Sequence, residues 1–73
     1  MALNAADKKF LKEMIPHHKL AVKMAEIVMN NGTDAKVDLL AKGIIDGQSQ
    51  EIKKMEKWLA EVGETPNSTM GQM

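Results

Sequence analysis

Two blocks of apolar residues at helical spacing, separated by Asn30-Asn31-Gly32, leave this chain few folds to choose from. In the first block Phe10, Met14, His17, Ala21, Met24 and Val28 step along one row. Leu11, Ile15, His18, Val22, Ala25 and Met29 form the row beside it. Steps of three and four keep each row on one side of a 3.6-residue helix. The second block carries Val37, Leu40, Ala41, Ile44, Ile45, Ile52, Met55, Trp58, Leu59 and Val62. Nothing alternates with period two for long enough to make a strand. Asn4, with Asp7 three residues on, predicts the first N-cap, and Thr33 or Asp34 can cap the second helix. Gly32 can take the left-handed conformation that stops a helix, and Gly63 and Pro66 end the second one.

The spacing therefore predicts an all-α fold. A helical hairpin domain spans residues 1–63, with helices at about 5–30 and 34–62, and a polar tail follows over 64–73. Each helix of about 25 residues is roughly 40 Å long, and the short connection makes the pair antiparallel. The combined apolar sector is wider than one partner helix covers, which predicts that two hairpins associate as a homodimeric four-helix bundle. Gly43 and Gly47, one turn apart, are either a flat strip for a neighbouring helix or a plain loss of helix propensity of about 1 kcal/mol each.

Composition removes several function classes. All 10 basic residues among the 73 are lysine, and they balance 10 acidic ones. Without arginine's planar fork, a neutral surface gives little support for nucleic-acid binding. No apolar run approaches the roughly 18 residues of a membrane span. Met1-Ala2-Leu3-Asn4 shows no basic region leading into an apolar stretch, so no signal peptide is read, although an exported chain stripped of its leader looks the same. Cysteine is absent, which removes disulfides and thiolate chemistry. Catalysis is not expected: neither histidine follows a glutamate at Glu-x-x-His spacing, and no phosphate loop or nucleophile elbow occurs.

What remains is a concentration of histidine and methionine. Methionine occurs at 7 positions. Pro16, which kinks a helix or restarts one, directly precedes His17-His18. Counting back from the turn sets the two histidines level with Gln48, Met14 level with Glu51, and Phe10 near Met55. Two polar residues of the second helix thus meet two histidines at one level. Either they form a buried hydrogen-bond network that fixes register, or they orient a metal-binding imidazole. Thioether sulfur suits copper(I) and its mimic silver(I), whereas zinc would use the histidines with Glu51. Met14 and Met24 are about 15 Å apart along one helix, so they serve different sites unless that helix is broken. Met70 and Met73 form a further Met-x-x-Met pair in the tail, either a loose copper(I) trap or an idle end.

Met14-Ile15-Pro16-His17-His18, with Asp7-x-x-Phe10 before it and Ala21-x-x-Met24-Ala25 after it, resembles the domain of unknown function 305 family, which includes periplasmic copper-binding CopM-like proteins. Gln48-x-x-Glu51-Ile52-x-x-Met55-x-x-Trp58-Leu59 resembles the family's second signature, so the likeness covers most of residues 7–59. The resemblance implies a ferritin-like four-helix bundle, often built from two hairpin units in one chain. It also implies noncatalytic copper binding or tolerance outside the cytoplasm through Met14, His17, His18, Met24 and Met55. This sequence carries one hairpin unit, so the resemblance requires a dimer to complete the bundle.

Overall fold

The computed structural model describes residues 2–64, so expectations that fall on Pro66, Met70 and Met73 lie outside the described residues. Two helices, α1 (Ala5–Asn31) and α2 (Ala35–Glu61), pack against each other as an antiparallel hairpin. Among the described residues there is no strand, and no helix is long and apolar enough to cross a membrane.

The caps explain where the helices begin. Asn4 Oδ1 accepts from the Asp7 amide at 2.8 Å, and the Asp7 carboxylate accepts from the Asn4 amide at 3.2 Å. This reciprocal box satisfies two amides that the first turn leaves unpaired. Of the two candidates for the second cap, Asp34 serves: its carboxylate accepts from the amides of Lys36 and Val37.

One local expectation is corrected and one open alternative is closed. Gly32 is extended (φ −74°, ψ 157°) rather than left-handed. Its need for glycine is steric, because a Cβ there would stand 2.6 Å from the Val28 carbonyl oxygen. Pro16 does not restart the helix, since α1 runs through it unbroken with the ring on the exposed side. The chain turns at Gly63 (φ 78°), and Glu64 folds back onto α1. Lys12 Nζ donates to its carboxylate at 2.6 Å, and Lys8 Nζ lies 3.6 Å away.

The core is small and uneven. Leu11, Ile15, Met55 and Leu59 bury one another toward the open end of the hairpin, with Leu3, Met14, Ile52 and Trp58 packed around them. Removing one such aliphatic side chain from water contributes about 1.5–3 kcal/mol. Toward the turn the buried residues are Ala25 and Ala41, which offer little apolar surface. Leu20, Met24, Ile27, Leu39 and Leu40 in that half stay exposed. The apolar sector is indeed wider than one partner helix covers.

Candidate metal centre

Residue 18 is the midpoint of Ala5–Asn31 and residue 48 that of Ala35–Glu61, so the polar level foreseen from the sequence sits halfway along the hairpin. The histidine that turns inward there is His18. Its side chain is 18% exposed, whereas His17 is exposed on the flank of α1. One residue of helix is about 100° of rotation, which separates the two imidazoles onto different sides. His17 thus lies outside the row that packs on α2, as do Phe10 and Met24 of its own row.

Both nitrogens of His18 have partners. Nδ1 lies 2.9 Å from the Met14 carbonyl oxygen, and Nε2 lies 2.6 Å from Glu51 Oε1. Each partner accepts, so both bonds form together only when each ring nitrogen carries a proton. With one proton, the bond from Nδ1–H to the backbone holds the ring and leaves the Nε2 lone pair facing outward. That is the arrangement by which a backbone carbonyl fixes the tautomer of a metal-binding imidazole. Glu51, with 58% of its side chain exposed, has room to swing into solvent and release Nε2. Gln48, level with it, is half-buried.

Beside this pair lies an open groove bounded by Phe10, Met14, His18, Glu51, Met55 and Trp58. Of the residues singled out in the sequence, Met14, His18 and Met55 therefore meet at one place. Met55 is buried and Met14 half-buried. Met24, exposed and ten residues beyond Met14, borders a separate apolar groove near the turn with Val28, Leu40 and Ile44. Among the described residues no three of His, Cys, Asp and Glu gather as a metal-binding group, so a zinc set of His17, His18 and Glu51 is not assembled in one chain. The neutral donors that border this one groove are two thioethers and an imidazole, residue types matched to soft ions.

Two participants escaped the sequence reading. The Met14 carbonyl was legible in principle, because a histidine four residues on is at the spacing from which a side chain reaches back to an i−4 carbonyl. Trp58 was also within reach, since it stands seven residues beyond Glu51 and so on the same side of α2.

Charge is arranged on the opposite flank. Lys12 and Lys8 hold the Glu64 carboxyl below its ordinary value of 4.5, chiefly through the hydrogen bond from Lys12 and then its charge. Lys19 and Glu56 pair on the same side at 3.6 Å. These pairs are open to solvent and salt, so they solvate that flank more than they hold the hairpin together.

No solved structure matches the chain. An uncharacterised protein of Acanthamoeba polyphaga mimivirus is 40% identical over 55 residues, which make up 75% of this chain and 36% of that protein. The chain thus matches little more than a third of that relative's length. The family described as Domain of unknown function (DUF305) matches over residues 7–73, nearly the whole chain, and this protein belongs to that family.

Proposed function

We propose that this protein binds copper(I), with silver(I) as its mimic, and acts in copper buffering, tolerance or transfer without catalysing a reaction. The observation that carries the reading is the convergence of Met14, His18 and Met55 on one groove at mid-hairpin. Neutral sulfur and imidazole donors favour a soft monovalent ion over magnesium or calcium, which take oxygen ligands. Met14 and Met55 would supply sulfur and His18 its Nε2, with the Met14 carbonyl holding the ring by Nδ1. Glu51 occupies Nε2 until an ion competes for it. Pairing of two hairpins into a bundle belongs to the same proposal. So does an extracytoplasmic place of action, which rests on the family resemblance alone.

A second reading has its own support. Both ring nitrogens of His18 are already engaged at 2.9 and 2.6 Å, as a purely structural link fixing helix register would require. In that case the protein is a helical interaction module, and its methionines are packing residues.

Anaerobic titration with copper(I) against a chromophoric chelator separates the two. The parent should compete, and Met14→Leu, His18→Ala and Met55→Leu should each weaken binding by about tenfold or more, or 1.4 kcal/mol. His17→Ala should weaken it far less within a single chain. A parent that cannot compete, or a His18→Ala variant that binds as well as the parent, leaves the structural reading in possession.

A further inference from the structure

The row Phe10, His17 and Met24 has a spacing of seven, as do Leu20 and Ile27, which are offset from it by three. That alternation of three and four is the a/d pattern of a helix-packing seam. Yet α2 does not cover it, and all five residues are exposed. The intrachain seam uses the neighbouring row instead, through Leu11, Ile15, His18 and Ala25. On α2, Leu40 is 65% exposed and borders the same groove as Met24, which places these two on one side of the hairpin. On that side two grooves, one bounded by Phe10 and Trp58 near the open end and one by Val28 and Val37 near the turn, make up a trough whose open-end part also borders Glu51 and Lys54. The other flank is the one bridged by Lys8, Lys12 and Glu64, and by Lys19 and Glu56.

The glycines supply an independent sign. Gly43 and Gly47 border a third groove, formed by α2 alone, which adjoins the trough through Leu40 and Ile44. A Cβ at either position would meet nothing within 4 Å. Packing within this chain therefore gives no reason for a residue that lowers helix propensity at two successive turns. A second backbone approaching along that strip does.

We propose that the trough seats a second copy of this chain, forming a closed dimer that brings the two His18–Glu51 levels together. The area fits. Two helices of about 40 Å, each about 10 Å across, present roughly 800 Å², the share one partner gives to a standard stable interface. A chain with zero formal net charge has no overall repulsion to overcome. With one apolar flank and one solvated flank, the association closes at two copies instead of growing into a filament.

The position of the site serves either orientation of the copies. A two-fold axis along the helices keeps every residue at its own level, and one perpendicular to them brings the two midpoints level when the hairpins overlap along their full length. Met14, His17, His18 and Glu51 lie at or near that midpoint, so each copy meets the other's set at its own level. His17, which has no place in its own chain's groove, then faces the shared interior. The interface itself requires no copper; only its contribution to a metal centre rests on the reading above.

Sedimentation equilibrium on the metal-free full chain tests the interface, with helicity checked by circular dichroism. The parent should weigh twice 8.1 kDa. Leu40→Glu and Met24→Glu, at exposed positions that leave the hairpin core untouched, should raise the dissociation constant at least tenfold while helicity is kept. Lys42→Glu, exposed on the far side of α2, should leave it unchanged. A parent that stays monomeric at about 100 µM, or a dimer indifferent to Leu40→Glu, overturns the proposal. Because the chain has no cysteine, a single spin label at Gln50→Cys, near the midpoint and exposed, reports the second part. Its interchain distance should be within roughly 30 Å, about three helix diameters, and a distance beyond a helix length of about 40 Å overturns it. A dimer that ignores copper sinks the copper reading alone, whereas a monomer that binds copper sinks this one alone.

Discussion

Leu59 carries more of this hairpin than any surface measure of hydrophobicity would suggest. It is fully buried, at 0% exposure, in a cluster with only three other buried side chains, Leu11, Ile15 and Met55. Leu59→Ala removes three carbons from that cluster, worth about 2.4 kcal/mol at about 0.8 kcal/mol per carbon. The neighbours sit on two continuous helices and relax only partly. An unrelaxed cavity of about 40 Å³ adds about 1 kcal/mol at 24 cal/mol per Å³, for a total of about 3.5 kcal/mol. A chain of this size has roughly 4–11 kcal/mol in all, so the variant should sit close to unfolding. Urea unfolding followed by far-ultraviolet circular dichroism, at one fixed protein concentration, should show the midpoint falling by about 2–3 M. Leu39→Ala is the control: at 72% exposure it should change stability by less than about 0.5 kcal/mol. A Leu59→Ala cost below about 1 kcal/mol, or equal costs for the two variants, would refute the assignment of the core to the open end.

Two further outcomes follow from the same contacts. The Glu64 carboxyl is held below its ordinary value of 4.5 by Lys12 and Lys8, so its contribution to stability is present above that value and disappears as pH falls through the lowered one. Melting temperature should therefore drop more steeply below about pH 4.5 in the parent than in Glu64→Gln, and parallel curves would rule the contact out of folding energetics. Gly32→Ala places a Cβ 2.6 Å from the Val28 carbonyl and 3.0 Å from Asp38 Oδ1. It should cost about 1–3 kcal/mol in chemical denaturation, and a neutral result would mean that the turn yields freely.

The hairpin and its register were legible because helical spacing and a short connection suffice to align two antiparallel helices. Phe10 beside Met55 is where counting from the turn put it, whereas His18 pairs with Glu51, one turn from the Gln48 level assigned to it. The choice between His17 and His18 was not legible. The rows through Phe10–Met24 and Leu11–Ala25 are about equally apolar, and only packing decides which one faces α2. Gly32 was misread for a related reason: sequence marks where a glycine ends a helix, but not whether torsion or crowding demands it. Glu64 escaped because its partners, Lys8 and Lys12, lie at the other end of the chain. Membership of the family was carried by motifs that survive such ambiguities, since they fix residue types without fixing which side each one faces.

The placement of the core also bears on how the hairpin comes together. Leu11 and Leu59 belong to one buried cluster yet stand 48 residues apart, while the segment next to the turn buries only Ala25 and Ala41. Closing the turn brings little reward, and the large side chains meet only after the whole loop has been restrained. Folding of this hairpin is thus governed by its most distant contacts, in contrast to the turn-first zipping that its simple topology suggests. For the same reason a chain released from synthesis with α2 incomplete has no partial core to rest on.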